Sequence, residues 1–134
     1  MEKNEDKIIN YLGVDWGEKR IGLATADSDV RLSLPFKTVS SLGELLAILE
    51  EERIHVIVMG EPIKMSGEEA NGQAWLAFKN ELIAKSNLEV VLSDERLSSL
   101  AADALGGDER QRAGRDEISA ALILQSYLDK NDGR

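Results

Sequence analysis

Acidic residues stand at the ends of apolar segments in this chain. Asp15, Glu61 and the pair Asp94 and Glu95 each follow a short apolar run, and Asp116 precedes a long one. Because the carboxyl ends of parallel strands meet at one edge of a sheet, we expect these carboxylates to gather there. Carboxylate oxygens suit Mg²⁺ and Mn²⁺, and a pair of such ions can activate water and stabilise a leaving oxygen. The pattern therefore favours metal-assisted hydrolysis.

Each acid also has a structural interpretation. Asp15 could stabilise its turn, Asp94 and Glu95 could cap a following helix, and Asp116 is a good N-cap residue. Taken one at a time, caps and turns are commoner than metal ligands. The joint placement of the acids at strand ends is what favours a metal site.

Basic residues next to these acids allow two interpretations. Lys19 and Arg20 follow Asp15 in the first turn, and Arg96 follows Glu95. A guanidinium beside a metal site suits a phosphate oxygen, but the same group can pair with a neighbouring carboxylate. Substrate contact and structural pairing are equally open for all three basic residues.

A second basic group comprises Arg110, Arg112 and Arg115, which lie in or next to a glycine-flanked segment at 106–114. Such a segment is predicted to be a loop that could close over a nucleic-acid backbone. A solvated charge cluster is an equally good interpretation of these arginines.

The composition excludes several classes of protein. The chain has 134 residues, a net charge of −9 and no cysteine. It therefore has no disulfide, thiolate zinc site or cysteine nucleophile, and cytoplasm is the expected compartment. The polar start at 1–7, which we expect to be flexible, and the lack of an apolar run near about 20 residues predict neither a signal peptide nor a membrane-spanning helix. The negative charge argues against nonspecific coating of nucleic acid.

Hydropathy patterns predict one domain of alternating strands and helices. Pro35 favours an edge position for the third strand, and a capping box beginning at Ser41 favours a helix start there. We expect His55, Trp16 and Trp75 to serve in packing. Strands are predicted at 8–14, 20–26, 34–39, 55–60 and 88–92, and helices from Ser41 to about 53 and at 68–85, 97–105 and 116–128.

Motifs along nearly the whole chain resemble those of the YqgF (RuvX) family. They are 12–24 (LGVDWGEKRIGLA), 58–62 (VMGEP) with Gly67 after it, 94–98 (DERLS) and 116–128 (DEISAALILQSYL). The family comprises bacterial pre-16S rRNA nucleases, also described as Holliday junction resolvases. Because these blocks occur in the same order at similar spacing, the resemblance is specific.

The resemblance implies an α/β, ribonuclease-H-like fold related to the RuvC resolvases. The expected sheet is five-stranded and mixed, with its first three strands antiparallel and helices on its flanks. The resemblance further implies one nuclease domain over 1–134, a cytoplasmic location, Mg²⁺ or Mn²⁺, and phosphodiester hydrolysis at the 5′ end of pre-16S rRNA. The implied partners are that RNA and the small-subunit precursor. Branched DNA is the alternative substrate, and a non-catalytic ribosome-assembly factor is the alternative function.

Site residues follow from the matched motifs. Asp15, Glu95 and Asp116 match the family's acids and are the implied metal-binding and catalytic set, with Asp94 as a supporting or alternative ligand. Glu61 departs from the family pattern, which usually has an apolar residue there. A surface substitution is slightly favoured over a further metal ligand at that position.

The basic positions Lys19, Arg20 and Arg96 match family positions that meet phosphate. The short segment at 106–114 and the acidic total argue against tight binding of a large four-way DNA junction. Oligomeric state, monomer or homodimer, discriminates between the functions, because symmetric strand cleavage needs two active sites and trimming of an RNA needs one.

Overall fold

The computed structural model describes residues 7–61, 72–94 and 112–131. Its strands are β1 (Asn10–Trp16), β2 (Ile21–Asp27), β3 (Leu34–Val39), β4 (Val56–Glu61) and β5 (Glu89–Asp94). Its helices are α1 (Leu42–Glu51), α2 (Gly72–Ser86) and α3 (Arg112–Lys130). The helix predicted at 97–105 lies outside the described residues.

The strands form one five-stranded sheet in the order β3-β2-β1-β4-β5. β2 is antiparallel to both β1 and β3, whereas β1 with β4 and β4 with β5 are parallel. This confirms the mixed sheet with its first three strands antiparallel. Pro35 lies in β3, which is an edge strand and pairs only with β2. Proline, which lacks a backbone N–H, is confined to such positions in a sheet. The carboxyl ends of β1, β4 and β5 therefore lie side by side.

The turn between β1 and β2 is shorter than predicted. β1 was expected to end at Val14, but pairing continues through Asp15 with Gly22 and Trp16 with Ile21. The backbone N–H of Gly17 donates to the carbonyl of Arg20 at 2.9 Å, which closes the turn. Asp15 is therefore held inside a paired strand and does not follow it.

One face of the sheet carries large aliphatic side chains and is covered by α1 and α2. The helix α1 begins after Ser41, whose hydroxyl accepts from the N–H of Glu44 at 3.2 Å, as the capping box predicts. The return bond of Glu44 goes to the N–H of Ser40 at 2.7 Å. The buried core on this face includes Leu12, Val14, Ile21, Leu23, Leu45, Ile57, Met59, Trp75 and Leu82.

The opposite face carries small residues and is covered by α3. A Cβ added at Gly13 would lie 2.7 Å from the carbonyl oxygen of Ala120 and 2.8 Å from Cβ of Leu124. Only glycine allows the helix to approach so closely. The buried residues of this second cluster are Ala24, Val58, Ala120, Ala121, Ile123, Leu124 and Leu128.

The start of α3 differs from the prediction. The helix begins at Arg112, so the predicted loop at 106–114 is wrong for its last residues and Asp116 lies inside the helix instead of capping it. The predicted loop ended at Gly114, yet a Cβ there would meet nothing within 4 Å. An exposed helical glycine costs about 1 kcal/mol relative to alanine. The well-packed turns that follow offset this cost.

The two tryptophans pack as expected, whereas His55 is exposed and makes a hydrogen bond instead. The indole N–H of Trp75 donates to the carbonyl of Gly60 at 3.2 Å, and the Trp16 ring lies 5.9 Å from that of Phe78. Nδ1 of His55 accepts from the backbone N–H of Asn10 at 2.9 Å, which ties β4 to β1. No helix within residues 7–61, 72–94 and 112–131 is long and apolar enough to cross a membrane.

Candidate functional site

Asp15 projects from the central strand toward α3. Side chains alternate between the two faces of a strand, and Leu12 and Val14 pack in the α1 and α2 core. Gly13 and Asp15 must therefore face α3, as the close contact of Gly13 with that helix confirms. The side chain of Asp15 is half-buried at the end of β1.

Asp116 reaches the same place from the helix. Gly22 is the register partner of Asp15 on β2, and cross-strand partners share one face. A Cβ added at Gly22 would lie 2.2 Å from the backbone oxygen of Asp116 and 2.9 Å from its Cβ. Asp15 and Asp116 are thus both immediate neighbours of Gly22, although about a hundred residues separate them along the chain.

An open cavity of about 400 Å³ joins the two acids to the tip of the hairpin. It brings together Asp15, Asp116, Lys19 and Arg20, which the sequence singled out from distant positions. Its lining residues are Asp15, Trp16, Gly17, Glu18, Lys19, Arg20 and Asp116. The cavity therefore contains carboxylates for a cation and basic groups for an anion within one volume.

Arg20 makes a direct ion pair with Asp116. Its Nε donates to Oδ2 of Asp116 at 2.5 Å, with the two side chains 40% and 22% exposed. Of the two interpretations of Arg20, pairing with a carboxylate is the one this geometry shows. The partner carboxylate belongs to α3 and not to a neighbouring position in the sequence.

Glu61 lies apart from this pair of acids. It ends β4 with an exposed side chain and has the same strand parity as Ile57 and Met59, which pack on the α1 and α2 face. Asp15 faces the other side of the sheet. Asp94 pairs with Glu61 in the parallel register, so the end of β5 is adjacent to the end of β4.

Of the other site residues predicted from the sequence, some lie in α3 and the rest lie outside the described residues. Arg112 begins α3, and Arg115 lies half-buried beside Asp116. Among residues 7–61, 72–94 and 112–131, no group of three or more acids, histidines or cysteines is placed to hold a metal. Glu95, Arg96 and Arg110 lie outside the described residues.

The two acids that meet fit an oxygen-ligated divalent cation. Asp15 and Asp116 are only partly exposed and line one cavity, and carboxylates are the ligands that Mg²⁺ and Mn²⁺ use in proteins. Gly22 has no role in the sequence-based prediction, although it lies directly beside both acids. An isolated glycine inside a predicted strand was the available signal of a close backbone approach.

The protein family is decided by comparison with known sequences. A sequence model described as RuvX, Holliday junction resolvase, matches residues 9–130. The chain belongs to the RuvX family. This confirms the resemblance carried by the motifs at 12–24, 58–62, 94–98 and 116–128.

Curated relatives of this RuvX-family chain share its length as well as its sequence. A protein of Anaplasma marginale (strain St. Maries) named "Putative pre-16S rRNA nuclease" is 40% identical, over 92% of this chain and 86% of its own. A protein of the same name from Chlamydia felis (strain Fe/C-56) is 37% identical, over 98% and 97%. The similarity therefore extends over nearly the whole chain and is not confined to the motifs.

Solved structures confirm the fold. RuvC of T. thermophilus in complex with a Holliday junction substrate superimposes with a TM-score of 0.60 at 15% identity, covering 93% of this chain and 96% of that one. The Fowlpox virus resolvase bound to Holliday junction DNA gives 0.54 at 12% identity, over 90% and 99%. At these identities the likeness establishes a RuvC-like, ribonuclease-H-like architecture.

Proposed function

We propose that this RuvX-family chain is a metal-dependent endonuclease that hydrolyses a phosphodiester bond of pre-16S rRNA during maturation of the 5′ end. The observation that carries the proposal is the meeting of Asp15 and Asp116 in one cavity with Lys19 and Arg20. Carboxylates for a divalent cation and basic groups for phosphate are the two requirements of such chemistry. The names of the relatives supply the RNA substrate.

In this proposal, Asp15, Glu95 and Asp116 hold Mg²⁺ or Mn²⁺. When bound, the metal supplies an activated water and stabilises the charge that develops on the phosphate. Asp15 is positioned by a central strand and Asp116 by a helix seated on Gly22, so neither carboxylate depends on a loop for its position. Sites supported by such rigid elements need little rearrangement when substrate binds.

Basic residues are assigned to the nucleic-acid backbone. Lys19 is exposed at the tip of the hairpin, within the same cavity as the acids. We assign Lys19, Arg20 and Arg96 to the scissile phosphate. A second group, Arg110, Arg112 and Arg115, is assigned to flanking phosphates.

The two further acids receive different roles. Glu61 faces away from Asp15, which supports a surface role, and we leave it out of the proposed metal set. Asp94 ends the neighbouring strand and precedes Glu95 directly, so we assign it a supporting role beside that ligand.

Holliday junction cleavage is the second function to test, since the family description names it and two structural neighbours hold junction DNA. A net charge of −9 favours a substrate contacted over a small area near the cavity. We therefore favour RNA over junction DNA as the substrate. We propose that this RNA is part of the small-subunit precursor in the cytoplasm. A monomer suffices for that reaction, whereas junction resolution needs a dimer.

The test is a cleavage assay with two substrates. Purified protein is incubated with a 16S precursor fragment and with a four-way DNA junction, each with and without Mn²⁺. We expect Mn²⁺-dependent cleavage of the RNA. If only the junction were cleaved, the protein would be a DNA resolvase. If it bound Mn²⁺ but cleaved neither substrate, a non-catalytic role in ribosome assembly would be favoured.

A further inference from the structure

Arg20 contacts the carboxylate that a divalent cation would need. Its position is determined by the hairpin, because the Gly17 N–H to Arg20 carbonyl bond and the Trp16 to Ile21 pairing flank it on both sides. From there its Nε reaches Oδ2 of Asp116, 96 residues along the chain. The resulting pair crosses the cavity from the hairpin to α3.

We propose that Arg20 is a resident counter-cation with two successive partners. Before a cation binds, its guanidinium pairs with Asp116. When a divalent cation takes that carboxylate, the guanidinium moves to an oxygen of the nucleic-acid phosphate in the same cavity. The inference rests on the proposed function, because it takes Asp116 as a metal ligand.

Charge complementarity in the cavity supports an exchange of partners. The cavity is lined by the acids Asp15, Glu18 and Asp116 and by the bases Lys19 and Arg20. A divalent cation bound beside Asp116 would repel a guanidinium that shares its oxygen. A guanidinium carries several N–H donors in a planar arrangement that matches phosphate oxygens, so once displaced it favours a second anion.

Partial exposure makes the exchange feasible. Arg20 is 40% exposed, so its side chain can swing into the open cavity without breaking a packed core. Solvent reaches both partners of this ion pair, which are 40% and 22% exposed, and ion pairs screened by solvent are weak enough for a divalent cation to compete for the carboxylate. The phosphate would enter the same volume of about 400 Å³, within reach of the released group.

The exchange predicts a change in the Arg20 Nε–H signal. In uniformly ¹⁵N-labelled protein without metal, we expect this proton to exchange slowly with solvent because it is bonded to Asp116. Saturating Mg²⁺ should speed the exchange, and the signals of Asp15 and Asp116 should shift in the same titration. An Nε–H that remains protected while both aspartates respond would overturn the exchange. No response at the aspartates would instead count against the proposed metal site.

Matched charge variants give a second, independent readout. Arg20→Gln and Lys19→Gln each remove one positive charge from the cavity, but only the first breaks the pair with Asp116. By calorimetry, we expect Arg20→Gln to bind Mn²⁺ about two- to fivefold more tightly than wild type, the factor that corresponds to an exposed ion pair. Lys19→Gln should show a smaller gain. If both variants gained the same Mn²⁺ affinity, the change in net charge alone would explain the effect and the proposal would be overturned.

Phosphate capture is tested with RNA binding. A fluorescent 16S precursor fragment is titrated by anisotropy with and without Ca²⁺, an oxygen-ligated cation of the same charge. Wild type should gain RNA affinity when the cation is added. Arg20→Gln should lose most of that gain despite its tighter hold on the cation, and Arg20→Lys should restore part of it. A full gain in Arg20→Gln would refute the second partner.

Discussion

The two faces of the sheet are built from different residues. Toward α1 and α2, the sheet presents large aliphatic side chains such as Leu12, Val14 and Ile57, each fully buried. Toward α3, it presents Gly13 and Gly22, which α3 approaches at backbone distance. Both faces bury apolar side chains, and the second face also sets how closely α3 approaches the sheet.

The difference shows why the site lies on the α3 face. A core of long side chains can absorb small shifts, because flexible groups repack. A helix that packs on glycines is already in backbone contact with the sheet, so it cannot move closer. The distance of Asp116 from the sheet is therefore fixed. Substitutions on the two faces should therefore separate stability from activity.

The largest effect is expected for Asp15→Asn on the α3 face. The amide keeps the size of the side chain but removes the charge that a divalent cation requires. We expect metal-dependent cleavage of the RNA fragment to be abolished, with a melting temperature near that of wild type. Glu18→Gln makes the same chemical change at an exposed position of the same cavity and should retain activity. Full activity in Asp15→Asn would rule out the assigned centre.

On the opposite face, Leu45→Ala should give the reverse pattern. Leu45 is fully buried in α1, and truncating such a side chain costs about 2–5 kcal/mol. Denaturant unfolding should show that loss, while activity per folded molecule stays at the wild-type level. A specific loss of activity in the folded fraction would show that the two faces are coupled.

Two glycines sharpen the comparison within the α3 face. Gly22→Ala and Gly13→Ala both force a Cβ against α3, and each should destabilise the fold by about 1–3 kcal/mol. Only Gly22 contacts the backbone of Asp116, at 2.2 Å for the built Cβ. Mn²⁺ affinity measured by calorimetry should therefore fall more in Gly22→Ala. Equal Mn²⁺ affinities in the two variants would show that Gly22 does not help to position Asp116.

The smallest effect is expected at the cap of α1. Ser41→Ala removes the hydroxyl that accepts from the N–H of Glu44, and such caps contribute about 1 kcal/mol. Thermal unfolding should report that loss without any change in cleavage. Ser40→Ala is the comparison variant: it removes the bond from the Ser40 hydroxyl to Oε1 of Glu44 at 3.2 Å, but it keeps the backbone N–H bond to that oxygen and the cap at Ser41.

Local sequence patterns predicted much of this fold. Alternating and continuous apolar runs locate the strands, Pro35 predicts the edge position of β3, and the Ser41 capping box predicts the start of α1. These signals depend on residues close together in the chain, so no tertiary contact is needed to interpret them. The start of α3 was mispredicted, because Gly106 and Gly114 were interpreted as the two ends of a loop.

The sequence by itself determined the residue types of the site. The motifs supplied the acids Asp15 and Asp116 and the bases Lys19 and Arg20, and they established the family resemblance. Only the tertiary structure decided that Arg20 pairs with Asp116, that Gly22 lies directly beside both acids, and that Glu61 faces the opposite side. The physical reason is that these relations depend on strand register and on how closely a distant helix packs. No local spacing encodes either quantity.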